Sequence, residues 1–423
     1  MTPLPTRSEL RRLSDPEKFW WATGIEDTFI TAPHPVTGRK LDEYELTDHY
    51  RRWREDLDLM AELGVPVARY GVPWHRIQPA PRQWDWHHAD EPLERMLDLG
   101  IAPQVDLVHY GLPLWIEGAY LNPDYPQLVA DYAARLAERF KGRIFWYTPL
   151  NEPRITAWYC GRLGWWPPYL HSWRGFVAVM MQLAQGIQST VAALRTVDSE
   201  IVAYHVDPTD LYEAASPDLE EEAQRRREIV FLALDLVSGR VDDFHPLHSW
   251  LRANGADDEV LRSLRREPTP PEVIGLNLYP LFTHKRLERD GRGRLRTKMP
   301  YTELGLVEGV TRRYHDHYRV PLMISEVATS GSVARRLGWL ERSVSAVRRL
   351  RAEGFPLVGY TWWPMFALVT WAWRQGRRDV AQHLLQMGLW DLDADLNRIR
   401  TPLVDAYRTL VCGDTEAVGP LHS

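Results

Sequence analysis

Two stretches of the chain end an apolar, strand-forming run on a carboxylate. Ile144 to Pro153 reads IFWYTPLNEP and stops at Asn151, Glu152 and Pro153. Leu322 to Glu326 reads LMISE. Proline cannot continue a β-ladder, so the first run predicts a strand that ends with an acid at its mouth. Two carboxylates of this kind can divide acid and base work, one protonated and able to donate, the other ionised and able to attack or to activate water. That division requires a scaffold that brings residues 152 and 326 together.

The alternation along the chain predicts such a scaffold. Lys18 to Ile25 (KFWWATGI) reads as a buried strand. Asp48 to Leu63 follows with helical spacing of Tyr50, Trp53, Leu57 and Met60, and Gly64 marks its stop. Strands are expected at Val65 to Tyr70, Ala102 to His109, Ile201 to Asp207, Val273 to Tyr279 and Leu357 to Trp363, beside the two opening runs. Helices are expected from Asp90 to Leu99, Tyr125 to Phe140, Ser172 to Thr196, Leu219 to Val237, Val307 to Tyr318 and Val333 to Leu350. Strand-then-helix repetition of this length predicts an α/β fold, a single-domain (β/α)8 barrel, whose active sites lie on the loops after the strands. Residues 1–16 and 413–423 read as polar tails flanking a catalytic barrel at 17–412. Gly239 to Pro271 and His284 to Pro300 break the rhythm and read as loop insertions. An open doubly wound sheet is the structural alternative, but no glycine-rich phosphate loop follows the first strand.

The expected strand ends are unusually polar: Glu26, Arg69, His109, Asn151 with Glu152, His205 with Asp207, Asn277 with Tyr279, Glu326, and Trp362 with Trp363. Packing alone does not call for polar groups there, so they read as a ring around a ligand. Strands four and seven face each other across a barrel mouth, which brings Glu152 opposite Glu326. Arg69 on strand two is placed to hold Glu326 ionised. A carboxylate pair of this kind is what glycoside hydrolysis needs. Trp165 and Trp166 before Pro167 and Pro168 read as a rim platform or as packing under a loop.

Composition bounds the alternatives. A formal net charge of −6 over 423 residues offers no electrostatic attraction for nucleic acid or an anionic membrane. Cys160 and Cys412 are the two cysteines and form no disulfide framework or zinc motif, so no metal and no cofactor is expected. His205, Asp207, His245 and His248 also lack ligand spacing. The amino terminus lacks the apolar core of a signal peptide, and no later run reads as long and apolar enough to span a bilayer. A cytoplasmic protein with a carbohydrate partner is expected.

The motifs as a set resemble glycoside hydrolase family 1, the retaining β-glycosidases of the β-glucosidase type. The similarity is densest from Tyr50 to Pro153. YRRWREDLDLMAELGVPVARYGVPWHRIQP resembles the family segment leading to Ser-Trp-x-Arg-Ile, VDLVHYGLPLWI its His-Trp-x-x-Pro, and TPLNEP its Thr-x-Asn-Glu-Pro. VIGLNLYP, MISEVA and QMGLWDLD resemble later family segments. The resemblance implies Glu152 as acid/base, Glu326 as nucleophile, and Asn151, His109, Arg69, Asn277, Tyr279 and Trp363 as binding or positioning groups. It also exposes departures. Where the family has Gln-x-Glu-Gly, this chain has Gly24-Ile25-Glu26-Asp27, so Glu26 is expected to substitute for the glutamine. In YTWWPMFALVTWAW, Thr370 stands where a sugar-binding Glu is expected and Trp371 matches the neighbouring Trp. Tyr110 replaces the Trp of His-Trp. The implied enzyme is an exo-acting β-glycosidase with an altered sugar preference; a transglycosylase and a non-catalytic carbohydrate-binding protein are the alternatives.

Overall fold

A computed structural model describes residue 15 and residues 17–413. Eight parallel strands close into a barrel: β1 Trp20–Gly24, β2 Val67–Gly71, β3 Ala102–Asp106, β4 Trp146–Thr148, β5 Val202–Pro208, β6 Val273–Leu278, β7 Leu322–Val327 and β8 Leu357–Trp362. Each pairs with its sequence neighbours, and β1 pairs with β8 through Trp20 opposite Gly359 to close the ring. The main helices follow the strands in turn: α1 His49–Glu62, α2 His87–Asp98, α3 Tyr125–Arg139, α4 Trp173–Val197, α5 Glu220–Val237, α6 Leu306–Tyr318, α7 Val333–Ala352 and α8 Pro402–Gly413.

Side-chain alternation divides the core into two layers. Trp20, Ala22, Val67, Ala102, Trp146, Val202, Tyr204, Val206, Val273, Met323 and Val358 fill the barrel interior. Ile274, Leu276, Ile324 and Leu357 face out to the helices. The interior plug seals the lower barrel, so the inward positions nearer the carboxyl ends carry polar groups. Trp20 and Trp146 belong to this plug, while Trp21 packs outside against Tyr360 and Tyr407.

Several elements differ from the sequence expectation. The fourth strand is three residues long, because the chain leaves the ladder at Thr148 before it reaches Asn151. Helix α2 begins at His87, ahead of the expected Asp90, with Pro92 inside it. Helix α4 is capped by Ser172, whose hydroxyl accepts from the Gly175 amide. By length and composition α4 is apolar enough to cross a membrane, which corrects the expectation that no run qualifies. Its apolar side chains are instead mostly buried, against α3 and the turn Trp158–Arg162, as a core helix. Of the two insertions, residues 239–271 form the helices His248–Ala253 and Asp258–Arg266. Residues 284–300 form a hairpin of His284–Arg289 and Leu295–Lys298, whose first strand runs parallel to Leu211–Ala214.

The carboxyl-terminal segment is tied to α1 by a buried ion pair. Arg398 donates from Nε and Nη2 to Asp56 at 2.6 and 2.7 Å, and Asp56 also faces His49 Nδ1 at 2.8 Å. His49 in turn reaches the Tyr70 hydroxyl of β2. Removing the acid would strand a buried guanidinium. Asp56→Ala is therefore expected to lower unfolding stability by about 3–5 kcal/mol, measured by urea denaturation.

Candidate active site

The inward positions of β2 and β3 lead to the site. Arg69 lies one period of the alternation above Val67, and Asp106 two periods above Ala102. Arg69 is wholly buried, and its guanidinium donates to Asp106 Oδ2, to Asn151 Oδ1 at 2.7 Å and to Glu326 Oε1. A buried cation requires such partners, and β3, the segment after β4, and β7 each supply one. Its flat face lies 4.6 Å from the Trp363 ring centroid.

Glu326 reaches the interior through an irregularity in β7. Met323 faces in and Ile324 out, so strict alternation would send Glu326 outward. The register with β6 shifts between Ile324 and Glu326, and the same region shifts against β8. The bulge re-aims the carboxylate toward Arg69. Tyr279 then donates its hydroxyl to Glu326 Oε2 at 2.6 Å. Gly275 makes room for this arrangement, since a Cβ there would lie 2.6 Å from Ser325 Oγ. Ser325 donates to Asn277 Oδ1 at 2.7 Å and thereby fixes which end of the amide faces Glu152.

Glu152 sits in a left-handed backbone conformation, φ 44°, at the entry to the short helix Pro153–Ala157. Its amide donates to Val206 O at 3.1 Å. Its Oε1 accepts from Asn277 Nδ2 at 2.9 Å and its Oε2 from the Tyr110 hydroxyl. Among the described residues no cation forms an ion pair with it. Burial first, and then the charge of Glu326, push its pKa up to about 7. Burial also raises Glu326, and Arg69 offsets part of that rise. The pair therefore takes its first proton on Glu152.

His109 lies beyond the end of β3 rather than on it. Its Nδ1 is 2.7 Å from Asp27 Oδ1 and 3.2 Å from Asp106 Oδ2, while Asn151 Nδ2 is 2.9 Å from its Nε2. Burial opposes a charge on the ring, and the two aspartates overcome it, raising its pKa well above that of free imidazole. Arg69 holds the Asn151 oxygen, which turns the amide nitrogen toward His109 Nε2. Ligand atoms of Asp27, Asp106 and His109 lie within 4.8 Å of one another, a set able to hold a cation. Arg69 and the imidazole already neutralise these acids, so the set is accounted for by protein groups.

At the rim, Glu26 Oε1 accepts from Thr28 at 2.6 Å and Oε2 from the Trp363 indole at 3.1 Å. Trp363 is buried and lies parallel to His109 with centroids 6.3 Å apart. Tyr110, Tyr159, Trp166 and Trp371 form an aromatic box. Within it, Trp166 stacks on Tyr159 and Trp371 packs edge-on to Tyr110. Trp165 remains 46% exposed. A cavity of about 350 Å3 lies on the far side of Tyr110, lined by Ile30, Thr31, Leu112, Pro113, Trp166 and Tyr169, and contains neither glutamate.

The structure thus brings Arg69, His109, Asn151, Glu152, Asn277, Tyr279, Glu326, Glu26 and Trp363 into one buried cluster. Trp371 stands in the aromatic box, outside that hydrogen-bonded cluster. Thr370 bonds His383, through Oγ1 at 3.2 Å and its amide at 2.8 Å. His205 and Asp207 do not join the ring: Val202, Tyr204 and Val206 face in, so both point to the helix layer, where Tyr314 of α6 donates to Asp207. His245 pairs with Asp235, as does His317, and His248 with Asp243. Sequence reasoning missed Asp27, Asp106 and Tyr110 as parts of the site. It also missed Glu43, a buried acid whose Oε2 accepts from the Val369 amide at 3.0 Å, beside Thr370.

Residues 22–231 match the model of glycosyl hydrolase family 1. A bifunctional β-D-glucosidase/β-D-fucosidase of Bifidobacterium breve is 25% identical over 92% of both chains. β-Glucosidase A of Thermotoga maritima is 33% identical over 26% of each chain. The chain belongs to glycosyl hydrolase family 1. It is accordingly a hydrolase of O-glycosyl bonds of the β-glucosidase type. Solved structures show the same fold: T. maritima β-glucosidase bound to methoxycarbonyl-substituted glucoimidazole superposes with a TM-score of 0.80 at 19% identity, covering 95% of this chain and 99% of that one. The AHE enzyme of Alicyclobacillus herbarius gives 0.78 at 22% identity, covering 94% and 98%.

The electrostatic account of the glutamate pair is testable without turnover. In Glu326→Gln the like charge is removed while burial remains, so the Glu152 pKa is expected to fall below about 7 yet stay above the ordinary glutamate value. Carboxyl 13C NMR titration of the two proteins measures the difference.

Proposed function

We propose that this family 1 enzyme is a retaining, exo-acting β-glycosidase of small glycosides or oligosaccharides, working by double displacement with Glu326 as nucleophile and Glu152 as acid/base. The observation that carries the reading is the unequal treatment of the two acids. Glu326 is bonded by Arg69 and Tyr279, and Arg69 offsets part of the rise that burial imposes on it, whereas Glu152 has no ion-paired cation and is pushed up to about 7. An ionised Glu326 can attack the anomeric carbon, and a protonated Glu152 can donate to the departing oxygen. Once the leaving group has gone, Glu152 as the anion takes a proton from water, which releases the sugar with its configuration retained.

The sugar preference is proposed to differ from that for ordinary glucose. Glu26 stands at the expected glutamine and Thr370 at the expected glutamate, and Thr370 is turned to His383. A site built to bond a hydroxyl discriminates strongly against its absence, and the converse loss of a carboxylate relaxes or redirects that choice. The B. breve relative is named for both glucoside and fucoside activities, so these two sugars head the substrates to compare. The aromatic box beside Glu152 favours an apolar acceptor over water, which supports transglycosylation as a second reading.

Hydrolysis of aryl β-glycosides of glucose, galactose, fucose, xylose, mannose and glucuronic acid tests the preference, with fucoside expected to equal or exceed glucoside in kcat/KM. Adding alcohols and looking for alkyl glycosides tests the second reading. Glu326→Gly is expected to lower turnover by about 10^3-fold or more, with azide restoring part of it as the glycosyl azide. NMR of the first-formed anomer checks retention; release of the inverted anomer would overturn the mechanism.

A further inference from the structure

Tyr110 follows His109 in the loop after β3, stands where the family resemblance puts a tryptophan, and touches Glu152 directly. Its backbone is left-handed, φ 68°, and its carbonyl accepts from the Tyr120 hydroxyl at 2.9 Å. Its ring is gripped by His109, Trp166 and Trp371 at centroid distances of 4.6, 5.0 and 5.5 Å. The hydroxyl oxygen is consequently held in place, donating to Glu152 Oε2 and accepting from Asn151 Nδ2 at 3.1 Å, while its O–H remains free to rotate.

The two oxygens of Glu152 are therefore not equivalent. Oε1 faces the Asn277 amide nitrogen, which Ser325 orients and which can only donate. Oε2 faces a hydroxyl, which can donate or accept. A proton on Oε1 meets a fixed donor, while a proton on Oε2 meets a partner able to adapt. We propose that Tyr110 is a positioning residue for the acid/base: its hydroxyl fixes Glu152 Oε2 as the oxygen that carries the transferred proton and steadies the anion between the two half-reactions. The inference rests on the proposed roles of Glu152 and Glu326. In the first half-reaction the Oε2–H bond breaks and the proton passes to the leaving oxygen. In the second, Oε2 takes a proton from water as the water oxygen bonds to the anomeric carbon and the Glu326 ester breaks. Tyr110 keeps its own proton throughout, since burial and the neighbouring acids hold its pKa well above the ordinary phenol value.

The ionisable groups around Glu152 come from every packed element: His109 after β3, Asp207 of β5, Tyr279 after β6, Glu326 of β7, Tyr159 beyond Glu152, and Lys285 of the hairpin. Tyr110→Phe changes none of them and removes one oxygen. Loss of a hydrogen bond donated to an anion raises its pKa by about 1 unit or more. The alkaline limb of kcat/KM for an aryl β-glycoside is expected to move up by about 1 pH unit, and kcat, where deglycosylation limits, to fall about 10-fold. The Glu152 13C titration should move by the same amount. An unmoved limb and titration with reduced activity would overturn the proposal and leave Tyr110 as packing. Should the Phe variant fail to fold, Tyr110→Leu repeats both readings. Wild-type protein inactive on every aryl β-glycoside would instead defeat the glycosidase reading, while the NMR comparison would still decide for or against the Tyr110 contact.

Discussion

A guanidinium buried in the mouth of the barrel sets the terms for everything around it. Arg69 has no solvent, and the cost of removing its charge from water is several kcal/mol before any partner is counted. Asp106, Asn151 and Glu326 offset that cost from three strands or strand ends, so the barrel cannot close in this form without placing these side chains together. The pairing also fixes the protonation order. Three acids, Asp27, Asp106 and Glu326, are stationed near Arg69 and His109. Of the two facing glutamates, Glu152 is the one bonded by neutral donors, and burial pushes its pKa up to about 7.

Closure of the sheet matters because the network spans it. Asn151 links Arg69 of β2 to His109 beyond β3, while Asn277 of β6 links Glu152 to Ser325 of β7. Each amide has one end held by a partner that decides the role of the other end. Asparagine suits this use, since its oxygen accepts and its nitrogen donates without any change of charge. The two carboxylates are thereby oriented by groups that do not titrate in the working range, and only the acids themselves respond to pH.

Much of this was legible in the sequence, for reasons that can be located. The strand-then-helix rhythm announced the barrel, and Glu152 and Glu326 were marked by apolar runs that stop on an acid. Arg69 was recognisable because an inward cation has few tolerable environments. His205 and Asp207 were expected in the ring on their position alone; the apolar parity of Val202, Tyr204 and Val206 already places them on the other face. Glu326 shows the opposite case. Parity alone would have turned it outward, and only the bulge after Ile324, invisible as a pattern of residue types, brings it in. Tyr110 lies on a loop and Glu43 opens the four-residue helix Glu43–Leu46, both too short of periodicity to constrain a side chain, so their contacts with Glu152 and the Val369 amide carry no sequence signature.

The rim around Glu26 follows a different logic from the centre. A glutamine at that position would offer one acceptor and two donors, whereas an ionised glutamate offers acceptors alone. Glu26 already spends one oxygen on Thr28 and the other on the Trp363 indole, and burial raises its pKa. The indole and hydroxyl thus orient the carboxyl in either protonation state, leaving its remaining lone pairs as the feature a ligand meets. In the proposed role, a sugar would have to present hydroxyl hydrogens to Glu26 and could expect no donor in return. Glu43, fully buried behind the Val369 amide, has its carboxyl pushed well above the ordinary range by burial and by Glu26, which keeps a second negative charge away from the same region. Burial and mutual repulsion therefore disfavour charge on Glu26 and Glu43 together, and in the proposed role that constraint would act on substrate choice, apart from Glu152 and Glu326.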